Sequence, residues 1–265
     1  MRQAVYSFIV LVLCCFCATV AQAEDGQDLK AAVDAVVASE PVVESDPWKF
    51  KLTETWVSKY VGYPGPLLSD KPCLQSDLSV VAPSGWHASI WWSTGLAHEQ
   101  QQTPAEQVDI AVGKTWKWND GSWLTADLIY KDFTPLGRSA GDAFVPRVKL
   151  GRDMDLGAWG KLKPYLQAEC WLILPDLTRR STVTLGLDYA LPIVGPLSLK
   201  AGVSGLYDWG TPATDRGPLG KGILGLEYKV SGHLSLGIGY SAFAPHDRAT
   251  LEHQEVLGLS LTLNL

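Results

Sequence analysis

From Pro47 onward, apolar and polar side chains alternate with a period of two. Trp86, Ala88, Ile90 and Trp92 alternate with His87, Ser89 and Ser93. Val108, Ile110 and Val112 alternate with Asp109, Ala111 and Gly113. Leu124, Ala126, Leu128 and Tyr130 alternate with Thr125, Asp127 and Lys131. Leu257, Leu259, Leu261, Leu263 and Leu265 alternate with Gly258, Ser260, Thr262 and Asn264. Successive side chains on a strand point to opposite faces, so each run predicts a strand with one apolar and one polar face. With a first strand over Trp48 to Tyr60, the runs number twelve. In that first strand the even positions are apolar except for Glu54 and Ser58, so the pattern leaves the side of Glu54 open.

The connections alternate as well. Pro83-Ser84-Gly85, Asn119-Asp120-Gly121 and Ser231-Gly232 are tight-turn sequences. Asp153–Gly160 and Pro192–Pro196 are intermediate. Between them lie longer segments: Gly62–Pro72, Ala97–Pro104, Pro135–Asp142, Pro175–Arg180, Gly210–Gly217 and Ala244–Thr250. One end of the sheet therefore carries mainly short turns and the other mainly long loops.

Alternation suits both a soluble barrel, apolar inside, and a transmembrane barrel, apolar outside. Runs of about 9 to 13 residues match a tilted strand crossing a bilayer, and soluble strands average about five or six. The turn asymmetry and the even count also fit a bilayer-spanning barrel. Aromatic residues gather at run ends: Trp48, Trp86, Trp116, Trp118, Trp123 and Trp159 at the short-turn end, and Tyr60, Tyr63, Tyr130, Phe133, Phe144, Tyr207, Trp209, Tyr240 and Phe243 at the loop end. They are expected to form two interfacial girdles. The fold expected is all-β: a closed antiparallel transmembrane β-barrel of about 12 strands, following a cleaved signal peptide.

Composition sharpens this picture. The chain has 265 residues, 46% hydrophobic and 19% charged, with a net charge of −6 and no basic footprint for nucleic acid. Arg2, the apolar stretch Phe8 to Ala18 and Ala21-Gln22-Ala23 form a secretory signal peptide pattern, giving 1–23 as the signal. Residues 24–46 carry Glu24, Asp25, Asp28, Asp34, Glu40, Glu44 and Asp46 against Lys30, and are expected to be a mobile or weakly helical acidic extension. The barrel is assigned to 47–265. Cys73 falls on a polar face and Cys170 on an apolar one, so both are expected as free thiols, with Cys170 facing lipid.

The polar face collects Asp77, Asp109, Asp127, Glu169, Asp188 and Glu227 with Lys131, Arg147, Lys149, Lys163, Lys200 and Lys229. Such a face is costly in a dry core and ordinary in a wet lumen. Asp109, Asp127, Lys131, Arg147, Lys149, Glu169, Asp188, Lys200, Glu227 and Lys229 are the expected pore lining, which sets a field rather than reacting. Twelve strands lie between a side-chain-filled eight-stranded barrel and an open sixteen-stranded channel. The same charges can line a narrow pore or pair across it and close it.

The segment Ser58-Lys59-Tyr60-Val61, then Leu74–Pro83, then Gly85-Trp86-His87-Ala88-Ser89-Ile90-Trp91 resembles the TorF-type porins of the bacterial outer membrane, as does Val108–Phe133 with Asp109, Asp127 and Tyr130. The likeness covers the first third to half of the mature chain. It departs where Gly62-Tyr63-Pro64 replaces Arg-Gly, and in the final Leu265, where outer-membrane barrels commonly carry an aromatic residue read by the assembly machinery. The resemblance implies a barrel and a porin, without fixing a solute.

No enzyme is expected. His98-Glu99, His246-Asp247 and His253 have no diagnostic metal spacing, and no nucleophile or phosphate-loop motif occurs. His87 lies on the polar face with no serine partner singled out. No cofactor is expected. The expected partners are outer-membrane lipid, small solutes or ions, and the barrel assembly machinery during biogenesis. The expected function is passive diffusion of small solutes or ions. The alternative is a non-conducting barrel that binds a partner through its acidic tail or through loops such as Gln100-Gln101-Gln102 and Gly210–Gly220.

Overall fold

The computed structural model describes residues 47–62, 67–96, 107–133, 142–174, 177–209, 217–245 and 253–265. The expectations for 1–23 and 24–46, for Gln100-Gln101-Gln102, and for His98, Glu99, His246 and Asp247 lie outside these residues.

Twelve strands form the wall. They are β1 (Lys49–Val57), β2 (Cys73–Val81), β3 (Trp86–Gly95), β4 (Gln107–Lys117), β5 (Ser122–Asp132), β6 (Ala143–Arg152), β7 (Lys161–Ile173), β8 (Thr178–Val194), β9 (Leu197–Asp208), β10 (Gly217–Lys229), β11 (Leu234–Pro245) and β12 (Gln254–Asn264). Each pairs antiparallel with its sequence neighbours. β12 also pairs with β1, setting Lys51 opposite Asn264 and Val57 opposite Gly258. The sheet is therefore closed, and no wall strand presents an unpaired edge.

The tight turns behave as their sequences require. Gly85 and Gly121 adopt φ of 83° and 82°, a region that L side chains avoid. Asp120 accepts a hydrogen bond from the Ser122 backbone N–H at 3.0 Å, which holds its carboxyl below the usual carboxylate range.

Three strand ends differ from expectation. β1 stops at Val57, not Tyr60. There Ser58 N–H donates to the Leu257 carbonyl at 2.9 Å, while the Ser58 hydroxyl accepts from Leu257 N–H at 3.0 Å. This anchors the strand end. Beyond it, Tyr60–Val61 pairs with Leu67–Ser69 in a small separate hairpin. Past Asp153, Met154–Asp155 resumes pairing with β7 before one 3₁₀ turn at Gly157–Trp159. β8 starts at Thr178 and runs through Pro192 with a register shift to Val194, which leaves only Gly195-Pro196 as the turn.

The register divides the wall cleanly. Leu78, Ile90, Ile110, Leu185 and Leu257 share one face and are exposed, Leu185 by 67%. A continuous exposed apolar band of this kind is the surface of a protein solvated by lipid. Side chains of the opposite face meet across non-neighbouring strands, as in the stacking of Phe133 on Trp171, so that face is the interior. Among the described residues, no helix is long and apolar enough to cross a membrane.

The register also settles Glu54. Its strand partners Ser76 and Leu261 lie on the outer face, so Glu54 faces outward with Leu52 and Trp56. The Ser76 hydroxyl donates to Glu54 Oε2 at 2.5 Å. Cys73 is on the inner face and fully buried, Cys170 is on the outer face, and both are free thiols.

The aromatic girdles are partly as expected. Trp48, Trp86 and Trp159 are exposed at the short-turn end, and Tyr207 and Trp209 at the loop end. Four of the residues assigned to them point inward instead. Trp123 shares a face with Asp127, and Phe133 packs on Trp171. Phe243 pairs with Lys221, and Tyr60 is buried with Val57 and Cys73. A position near a strand end places a ring at interface height, but residue parity decides which face it occupies. Tyr63 lies outside the described residues.

Candidate functional site: the inward face of the barrel

All ten expected lining residues occupy the inner face, because period-two alternation and a closed register leave each strand one inward set. The register further shows which of them meet. Asp109 stands opposite Lys131 and forms an ion pair with it. Asp127 stands opposite Arg147, whose Nε donates to Asp127 Oδ2 at 2.8 Å. Lys200 reaches Glu227 diagonally on the next strand, at 3.4 Å. These ion pairs join neighbouring strands along the wall and do not cross the lumen. Glu169 is buried, accepting from Gln167 Nε2 at 2.9 Å and from the Thr182 hydroxyl at 3.4 Å. Lys149 sits over the Tyr165 ring, 3.8 Å from its centroid. Asp188 stands opposite Lys163, which itself contacts Asp153 at 3.1 Å. Lys229 ends β10 at the short-turn rim.

Several contributors were not singled out in the sequence. His87 Nε2 lies 2.7 Å from Asp127 Oδ1, so Asp127 bridges three strands. Gly113 makes this possible, since a Cβ there would collide with the Asp127 carboxylate and His87 Nε2. Gln107 donates to Asp109 at 2.6 Å and accepts from the Tyr60 hydroxyl. Lys221, one residue past the loop read over Gly210–Gly220, belongs to β10 and lies over the Phe243 ring at 5.0 Å. Its flanking glycines hid the strand. The signal for His87 was its parity with Ser89 and Ser93.

The interior is lopsided. β4 to β8 supply most of the long charged and aromatic side chains described above, and β9 to β11 add Lys200, Lys221, Glu227, Lys229 and Phe243. β9 to β12 and β1 intersperse these with many small ones: Ser198, Gly202, Ser204, Gly225, Gly237, Gly239, Ser241, Gly258, Ser260, Thr53 and Thr55. The small-residue side leaves room where the charged side fills it. Two apolar clusters narrow the loop end. One is Ile129, Ala143, Val145, Trp171 and Ile173; the other is Val57, Tyr60 and Cys73 with Leu68, Trp91 and Val256. Toward the short-turn end, an open cavity of about 290 Å³ is lined by Lys161, Lys163, Asp188, Lys200, Gly202 and Ile223 among others.

On the inner face as a whole, basic side chains outnumber acidic ones. Lys49, Lys51, Lys117, Lys131, Arg147, Lys149, Lys161, Lys163, Arg180, Lys200, Lys221 and Lys229 face Asp77, Asp109, Asp127, Asp153, Asp155, Glu169, Asp188, Asp208 and Glu227.

No protein-family model and no curated protein sequence matches this chain. Solved structures do. The NanC porin superposes with a TM-score of 0.54 at 13% identity, covering 82% of this chain and 100% of its own. The KdgM porin gives 0.53 at 9% identity, covering 81% and 98%. An outer membrane channel from Pseudomonas putida F1 gives 0.54 at 11% identity, covering 92% and 100%. At these identities the likeness concerns the fold: this chain has the closed twelve-stranded barrel fold seen in outer-membrane porins and channels.

Proposed function

We propose that this protein is a porin of the bacterial outer membrane, passing small solutes or ions by passive diffusion through a narrow polar lumen. The observation that carries the reading is the direction of the ion pairs. Asp109–Lys131, Asp127–Arg147 and Lys200–Glu227 are satisfied along the wall, so the charges need no partner across the lumen. A diffusion pore requires a water-filled path and fixed charges beside it. The small residues of β9 to β12 and β1 supply space, and the paired charges of β4 to β6 and of β9 and β10 supply the field. The fold of the NanC and KdgM porins is consistent with this use, and so is the TorF-type resemblance of the first strands.

The second reading, a non-conducting barrel, is favoured by the Tyr60–Ser69 hairpin, whose Tyr60 is buried in the loop-end mouth and bonded to Gln107. Swelling of protein-loaded liposomes in isotonic small sugars separates the two. The porin reading expects swelling whose rate falls as sugar size rises. No swelling, with folded insertion verified, supports the non-conducting barrel.

A further inference from the structure

The cavity at the short-turn end is lined by three lysines from two strands: Lys161 and Lys163 of β7 and Lys200 of β9. Two further lysines occupy adjacent inward positions. Lys149 stands on the Tyr165 ring, and Lys221 lies one inward step along β10 from the cavity residue Ile223. Four carboxylates answer them: Asp188 in the lining, Asp153 at 3.1 Å from Lys163, Glu227 at 3.4 Å from Lys200, and Asp155 opposite Lys161 at the rim. The cavity therefore keeps a positive excess. Residues 47–265, taken together, are close to neutral, so this excess is a segregation of charge rather than a property of the whole barrel.

We infer that this lysine-lined cavity is an anion vestibule that biases the lumen toward small anionic solutes. The inference rests on the porin reading and names the class of solute that the pore favours. The physics is focusing: a low-dielectric wall lined by one sign of charge concentrates counter-ions within it. One unit charge about 10 Å from a passing ion in a water-like medium changes the local ion concentration about twofold. The one net charge left over therefore suffices for a measurable preference. The pairs farther from the short turns, Asp127–Arg147 and, at the loop end, Asp109–Lys131, each sum to zero and do not oppose it. Gly202, directly beside Asp188 on the next strand, adds no side chain to the lining, and a Cβ there would lie 3.0 Å from Asp188 Oδ1.

The test is the zero-current potential of the full-length mature protein in a planar bilayer under a tenfold potassium chloride gradient, with citrate then added as a multivalent probe. The inference expects a potential on the chloride side and a fall in potassium chloride conductance on adding citrate. It expects the double variant Lys161→Glu, Lys200→Glu to move the potential to the potassium side, and the outward-facing Lys114→Gln to leave it unchanged. The milder Lys161→Gln, Lys200→Gln pair should shift it in the same direction if the reversal variant folds poorly. Conductance with a potassium-side potential in the unaltered protein, or a potential indifferent to both lysine variants, overturns the vestibule and leaves the porin standing. Absence of any conductance from verified inserted protein overturns the porin reading, and the vestibule with it.

Discussion

Arg147 and Asp127 face one another on adjacent strands and close a 2.8 Å hydrogen-bonded ion pair, with the Asp127 carboxylate 1% exposed and His87 on its second oxygen. A carboxylate so enclosed has exchanged water for two protein partners. Removing it strands both. Asp127→Ala is expected to destabilise the folded barrel by about 1–3 kcal/mol, the cost of leaving buried partners unpaired moderated by a wet lumen. Urea unfolding of the protein folded into lipid vesicles measures this, and an unchanged midpoint contradicts the bridging role.

Gly113 is tied to the same group. Gly113→Ala puts a methyl where the Asp127 carboxylate and His87 ring nitrogen lie. The expected loss is also about 1–3 kcal/mol, and it should shrink when Asp127 is already alanine, because the two substitutions damage one contact. Additive losses in the double-mutant cycle would show that Gly113 serves the wall independently.

Tyr60 narrows the loop-end mouth through its burial and its bond to Gln107. Tyr60→Ala is expected to raise unit conductance without changing the barrel's circular-dichroism spectrum. Equal conductance would place the narrowest point elsewhere, such as at the cluster around Trp171.

The outer face holds two further tests. Glu54 sits among Leu52, Trp56 and Leu261 with Ser76 as its hydrogen-bond donor. Charge on a lipid-facing wall is costly, so the paired change Glu54→Leu, Ser76→Ala is expected to stabilise the barrel in vesicles by about 1–2 kcal/mol. A loss of stability would mean that this polar pair binds something at the lipid-facing surface. Cys170 should react with a lipid-soluble maleimide in folded protein, and Cys73 with neither a lipid-soluble nor a water-soluble one, since it is fully buried.

Period-two alternation carried the faces into the sequence, which is why every expected lining residue from Asp109 to Lys229 lies inward. It did not carry the partnerships. Asp109 meets Lys131, and Asp127 meets Arg147, only through the strand register, which turn lengths fix and alternation does not. Trp123, Phe133 and Phe243 were assigned to girdles by height alone, although Trp123 and Phe133 have the parity of Asp127 and Lys131. Tyr60 could not be placed from pattern, because it follows the bond between Ser58 and Leu257 that ends β1. Lys221 stands between Gly220 and Gly222, which interrupt the apolar alternation and hide its face.

The most direct test of the channel reading is single-channel recording of the refolded protein in a planar bilayer, with insertion verified by protease protection. The account predicts discrete conductance steps that grow in Tyr60→Ala. Verified insertion with a flat current trace, in both the unaltered protein and Tyr60→Ala, would contradict it.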